Sequence, residues 1–257
     1  MLYTLKLNRK FIFKHLGDDL LIRIAPAKVD YHAGSKWQSA DFIRYYLDYL
    51  PSSLRYRGRK SLRRIHKYES FFYDDKLFQT RTHIQDTYKY KKTNSAIKAF
   101  HKINFTDCFW YHELIKELQT NGIAIHKNIK MYKKEEVDYF FNNYVFKLIE
   151  SFLKNGFVDS ISNEYGTCVI DGDKKVLKSS SAVHRFCMAK DLGISSFPLQ
   201  VIGISKSVYY SEIKQKTIKE TLLKLKEFIK EVEQAHSASV GCIKTPPLTP
   251  SAGAPAP

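Results

Sequence analysis

The apolar positions of this chain follow two different periods. Near the N-terminus they come in short runs broken by basic residues: LYTLKL, KFIFK and DLLIRIAPAKVDY. These read as short β segments, with Pro26 ending or edging the third. HAGSKW (His32–Trp37) reads as a turn leading to a tryptophan. ADFIRYYLDYL (Ala40–Leu50) sets Phe42, Ile43, Tyr46, Leu47 and Leu50 on one helical face before Pro51. TDCFWYHELIKELQTNG (Thr106–Gly122) predicts a helix starting near Thr106 or Asp107 and stopping at Gly122. KKEEVDYFFNNYVFKLIESFLKNGF (Lys133–Phe157) predicts a long helix whose apolar positions include Val137, Phe140, Phe141, Tyr144, Val145, Leu148, Ile149, Phe152 and Leu153, stopped by Gly156.

After Gly156 the pattern shortens. YGTCVIDGDKKVL resembles a β-hairpin, with GTCVI and KKVL flanking a turn on Asp171-Gly172-Asp173. SSAVHRFCMAKDLG is a helix beginning near Ala182 or Val183 and ending at Gly193, and SFPLQVIGIS is a strand. SVYYSEIKQKTIKETLLKLKEFIKEVEQA places Ile213, Ile218, Leu222, Leu225, Ile229 and Val232 on one face of a closing amphipathic helix. The tail HSASVGCIKTPPLTPSAGAPAP has no period and reads as disordered. The pattern as a whole is mixed α/β (α+β).

Charge narrows the class of partner. Lys and Arg outnumber Asp and Glu by 42 to 26 in 257 residues, a net +16, which favours anionic partners such as nucleic acid, nucleotides or phosphorylated sugars. Two basic stretches stand out. Arg55, Arg57, Arg59, Lys60, Arg63, Arg64 and Lys67 fall between Leu54 and Lys67 without a carboxylate, and TYKYKKTNSAIK (Thr87–Lys98) interleaves lysines with two tyrosines. Either stretch suits nucleic acid, where cations meet phosphates and rings stack on bases, and either also suits a solvated face.

Cys108, Cys168, Cys187 and Cys242 are widely spaced, with no C-x-x-C pair, and read as reduced, mostly buried thiols rather than disulfides or zinc ligands. With no run of 18 apolar residues and no signal-peptide core, the expectation is a cytoplasmic protein with no transmembrane segment. Trp37 and Trp110 read as core anchors. His112 and His126, which have no ligand-spaced partner, read as surface or interface histidines.

One segment concentrates candidate chemistry. The loop SSSA delivers the chain to a helix whose first backbone N–H groups lack intrahelical partners and whose dipole favours an anion. Ser179, Ser180 and Ser181 lie on that loop, able to cap the helix or hydrogen-bond an oxyanion. His184 and Arg185 lie in the first turn, where the dipole disfavours cations. A bound phosphate touching both explains the pair; a structural pair bonded to a nearby carboxylate is the alternative.

The order and spacing of LIESFLKNGF, VIDGDKKVLKSSSAVHRFCMAKDLG and FPLQVIGIS resembles the ParB/sulfiredoxin-like fold family. Asn155-Gly156, His184-Arg185, Ala189-Lys190, Gly193 and Phe197-Pro198 occupy the places of its helix stop, signature, helix end and strand proline. The resemblance covers about residues 133–205. IAPAKVDYHAGSKW and CFWYHELIKELQTNG are more faintly similar to the upstream parts of uncharacterised members associated with surface-polysaccharide genes.

The resemblance implies a ParB/sulfiredoxin-like core with helical N-terminal insertions and a closing C-terminal helix. Residues 1–132 would pack on a domain of residues 133–236, with residues 237–257 as tail. It further implies a nucleotide, ATP or another with Mg²⁺, or a phosphorylated small molecule held by Ser180, Ser181, His184 and Arg185. Phosphoryl transfer to a small molecule or glycan would need a carboxylate, for which Glu164 is the candidate, with Asp171 and Asp173 assigned instead to the hairpin turn. No metal ligand is assigned.

Two departures from the family pattern matter. Ala182 stands where a glycine is usual, and Val183 stands where sulfiredoxins carry their nucleophilic cysteine, which argues against reductase chemistry. The other readings are a nucleic-acid-binding protein using residues 54–67 and 87–98, and a non-catalytic partner-binding protein.

Overall fold

The computed structural model describes residues 7–34, 71–158 and 165–237. Trp37, the Ala40–Leu50 helix, the 54–67 basic stretch, Glu164, Cys242 and the Pro/Ala/Ser-rich tail lie outside the described residues, as does most of LYTLKL.

The first element corrects the reading of KFIFK as a strand: Arg9–Leu16 is helix α1. Asn8 caps it by accepting the Phe11 N–H at 2.9 Å, and Gly17 closes it at φ 45°. Ile12 and Leu16, four apart, are its buried pair. A cap and a glycine stop outweighed the β propensity of three consecutive apolar residues.

The strands are β1 (Leu21–Ile24), β2 (Tyr31–His32), β3 (Phe72–Tyr73), β4 (Thr82–His83), β5 (Ala124–His126), β6 (Ile129–Met131), β7 (Gly166–Ile170), β8 (Val176–Lys178) and β9 (Phe197–Ser205). Seven of them form one mixed sheet in the order β1-β9-β7-β8-β2-β4, with β3 also on β9. β9 is its central strand. It runs parallel to β7 on one edge, while the other edge is shared by β1, antiparallel over Phe197–Gln200, and β3, parallel at Ile204 and Ser205. A strand covered on both faces needs an almost unbroken apolar run, which FPLQVIGIS supplies: only Gln200 is not fully buried. Gly203 lets Tyr73 cross it, since a Cβ there would stand 2.4 Å from the tyrosine ring.

β7 and β8 form the antiparallel hairpin expected from the sequence, registered Cys168↔Lys178 to Ile170↔Val176. Asp171 shapes its turn, accepting the Asp173 and Lys175 N–H groups at 2.9 Å each while its other oxygen takes Arg81 at 2.9 Å. β2 lies parallel to β8 at His32↔Lys178, and β4 follows antiparallel at the edge.

Helices α2 (Tyr88–His101), α3 (Phe109–Asn121), α4 (Lys134–Phe140), α5 (Lys147–Asn155), α6 (Val183–Asp191) and α7 (Ile218–His236) pack around this sheet. The basic stretch Thr87–Lys98 is thus mostly helix, with Thr87 as its cap. The single helix expected over residues 133–157 is α4 and α5 joined through a π-helical stretch, Phe141–Phe146. Gly122 closes α3 in the left-handed conformation at φ 70°. α7 opens with a reciprocal Thr217/Glu220 capping box and buries Thr221, Leu225, Phe228, Ile229 and Val232.

One large core joins these layers, with Trp110 only 1 % exposed inside it, as its reading as an anchor required. Cys108, Cys168 and Cys187 are free and buried. No described helix is long and apolar enough to cross a membrane.

Candidate functional site

β8 ends on a lysine with no exposed surface. The Lys178 ammonium donates to the carbonyls of Thr167 at 3.2 Å and of Ser179 and Ser181. Because a trans peptide points its C=O and the following N–H in opposite directions, this turns the N–H groups of Ser180 and Ala182 away from the ammonium. The Thr167 hydroxyl reinforces the turn, meeting Ser179 Oγ at 2.5 Å and accepting the Ser181 N–H at 3.3 Å. Ser181 Oγ donates to the Tyr165 carbonyl at 3.1 Å, and Ser180 Oγ is buried without a hydrogen-bond partner.

Ala182 then adopts φ 53°, ψ 32°, the left-handed conformation, before α6 begins at Val183. An L-residue there is strained by about 1–2 kcal/mol. Ala182→Gly removes the strained Cβ at some cost in unfolded-chain entropy. The expected result is a gain of roughly 0.5 kcal/mol and a small rise in Tm; a fall in Tm would contradict the assigned backbone.

α6 is held at its far end as well. Asp191 accepts from Tyr90 Oη and Asn94 Nδ2 of α2, both at 2.7 Å, and Lys190 donates to the carbonyls of Pro26, Ala27 and Val29 ahead of β2. The C-terminal end of α6 is therefore tied both to α2 and to the segment ahead of β2.

The His-Arg pair divides around the helix. His184 stacks on Trp110, ring centres 5.5 Å apart at 23°, with His126 at 6.0 Å. Arg185 faces a small cleft of about 80 Å³ beside Leu148, Phe152, Gly156 and Phe157 at the end of α5. His126 corrects the expectation of a surface histidine: it is 8 % exposed and packed against Trp110 and Phe140 at 5.1 and 5.2 Å. His112 is exposed.

The electrostatics have one sign. Burial, then His126, Lys89, Lys92 and Lys127, push the His184 imidazole down to about 3. Burial with Lys92 and Lys127 takes His126 to about 4, and burial with Lys178 and Lys89 takes His32 to about 4. Burial takes Lys178 down to about 7, opposed by the Cys168 and Cys187 thiols and assisted by Lys89 and Arg185. Every charged side chain that perturbs the three histidines is a cation. Lys92 pairs with the Glu113 carboxylate at 3.1 Å and sits 5.1 Å from the Trp110 ring centre.

Ser180, Ser181 and His184 thus gather with Lys178, His32, Lys89, Lys92 and His126, which the motif-level reading did not include. Lys178 carried a faint signal, since period-2 alternation places it on the same strand face as the buried Val176. Lys89 and Lys92 are three apart on a helix and share a face. Among the described residues no group of three His, Cys, Asp or Glu side chains gathers into a metal site. No family model, curated protein or solved structure matches the chain.

Proposed function

We propose that the chain binds a nucleotide or another phosphorylated ligand at the start of α6, in a ParB/sulfiredoxin-like arrangement. The observation behind this reading is the combination of outward N–H groups on Ser180 and Ala182 with a surround of cations. Backbone donors at a helix start and convergent positive charge are what a phosphate requires. The ligand contacts are Ser180, Ser181 and His184, with Lys89, Lys92, Lys127 and, from the other side of the first turn, Arg185 adding field. Lys178 acts from beneath by setting the direction of the loop peptides. With a Mg²⁺-nucleotide bound, the same site would present a terminal phosphoryl group to a small-molecule or glycan acceptor. Glu164, one residue before the Tyr165 carbonyl that receives Ser181 Oγ, is the general base in this reading.

Calorimetric titration of ATP, ADP and CTP with Mg²⁺ against wild type and Arg185→Ala tests it. Wild type is expected to bind at least one of them, and the variant to bind roughly 2- to 5-fold more weakly, the worth of a nearby charge that makes no direct contact. Failure of wild type to bind any of them, or of inorganic pyrophosphate to compete, sinks the reading.

A further inference from the structure

A second concavity lies beside the cationic site. It has a volume of about 630 Å³ and is walled by the β5–β6 hairpin on one side and by α4 with the π stretch on the other. That volume suits a small molecule rather than a water or an ion. Its lining surface is mainly apolar and includes Met131, Tyr139, Phe140 and Tyr144, with Lys130, Glu135, Glu136 and Asn143 as polar members.

The rings are displayed in an unusual way. Tyr139 is 68 % exposed and Tyr144 38 %, although both line a pocket. Tyr144 stacks on the buried Phe140, ring centres 5.1 Å apart at 18°. In a continuous α-helix, residues five apart diverge by about 140°. The π stretch Phe141–Phe146 repeats its hydrogen bonds at five residues instead of four, which swings Tyr144 back toward the face of Tyr139. The Asn143 amide nitrogen donates to the Tyr139 carbonyl at 3.2 Å, leaving its oxygen as an acceptor. π insertions of this kind are frequent at functional sites.

Proximity to the helix start, across the His126 ring, indicates what the pocket holds. Tyr144 lies 6.0 Å from His126, and His126 lies 6.0 Å from His184, so one imidazole separates the aromatic pocket from the cationic loop. The hairpin joins the two: His126 and Lys127 act on His184, while Ile129 and Met131, a few residues on, line the pocket. A ligand spanning both has an anionic head and, about two ring-steps away, a flat group with hydrogen-bonding edges. An acyl chain would fill the volume but would leave the Glu135 carboxylate and the Asn143 oxygen without use.

We propose that this pocket is the nucleobase subsite of the ligand whose phosphates the α6 start holds. The inference rests on the phosphate-binding reading, and the test separates the two. Titrations of ATP, CTP, tripolyphosphate, adenosine, cytidine and dodecyl phosphate are compared for wild type, Tyr139→Ala and Tyr144→Ala. Tyr139 is largely solvent-facing, so its variant leaves the core intact. The expected result is that a nucleoside triphosphate binds more tightly than tripolyphosphate. Either tyrosine variant then loses about 5- to 100-fold in nucleotide affinity, the worth of one stacked base, with tripolyphosphate unchanged.

Equal binding of nucleotide and tripolyphosphate, or unchanged nucleotide affinity in both variants, overturns the subsite and leaves the phosphate site standing. Nucleoside binding that depends on Tyr139, with no tripolyphosphate binding, does the reverse. Tighter binding of dodecyl phosphate than of any nucleotide overturns the base assignment in favour of an acyl chain. No binding by any ligand overturns both readings.

Discussion

Lowering the pH from 7.5 to 5 is expected to remove roughly 3–6 kcal/mol of folding stability, a large share of the 5–15 kcal/mol typical of a folded domain. His32, His126 and His184 are responsible. Burial first, and then neighbouring lysines (for His184, His126 ahead of them), hold them at about 4, 4 and 3 against an ordinary value of 6.5. In the unfolded chain each takes up its proton near pH 6.5, while in the fold each stays neutral until about pH 4 or below. Between those limits the unfolded state holds up to three more protons, so stability falls as pH falls. Each histidine contributes about 2 kcal/mol at pH 5 before discounting for the part of each ring that still meets solvent. Urea denaturation across pH 4.5–7.5 measures this directly. His184→Phe keeps a ring against Trp110 and is expected to flatten the slope by about a third. A wild-type midpoint that does not move over that range would show that the histidines are not held neutral. Bound phosphate favours a protonated His184, so added ligand should reduce the acid sensitivity.

The sequence made the local parts of this structure legible and left the remote parts hidden. The Asp171 turn, the Gly122 and Gly156 stops and the SSSA helix start each depend on a few consecutive residues, and they stand where the pattern put them. α2 was harder to see. Its buried residues are Thr93, Ala96, Ile97 and Ala99, small or polar side chains that leave the surrounding lysines dominating the pattern. α1 was misread because Phe11-Ile12-Phe13 fits either period, and the Asn8 cap decided it. The sheet order depends on pairings such as Ile24↔Phe197 that no local pattern encodes. The same holds for the site. The loop and His184 were visible as a motif, but burial of His126 depends on rings contributed by α3 and α4. The facing of Lys89 and Lys92 toward His184 depends on where α2 packs against α6.

Lys178→Met should cost stability and ligand affinity together, and the pH dependence distinguishes its role from simple packing. Methionine fills similar volume but leaves the carbonyls of Thr167, Ser179 and Ser181 facing an apolar group. The Thr167 carbonyl keeps the Ser179 N–H at 2.9 Å, so the Ser179 and Ser181 carbonyls are the orphaned ones. Each costs about 1–3 kcal/mol, offset in part because no ammonium need then be buried, for a net loss of roughly 1–4 kcal/mol. Burial takes the lysine from 10.5 to about 7 in the fold. Below pH 7 the fold must bury a charged group. As pH rises from 7 to 10.5 the folded amine is neutral while the unfolded one still holds its proton, so this residue's contribution to stability increases with pH. Binding moves the other way. Above pH 7 the amine has two N–H donors for three carbonyls, the loop loses an anchor and the site loses a positive charge, so phosphate affinity declines. The Cys168 and Cys187 thiols beside it, pushed up to about 12 by burial, stay neutral in the fold but begin to ionise in the unfolded chain toward pH 9, which subtracts part of the gain at the top of this window in wild type and variant alike. The three histidines lose their last protons in the unfolded chain just above pH 7 and add only a small slope there, equal in wild type and variant. Wild type should therefore gain stability and lose affinity between pH 7 and 9, and Lys178→Met should flatten both curves. If the variant keeps the wild-type slope in either measurement, Lys178 is not what orients the loop.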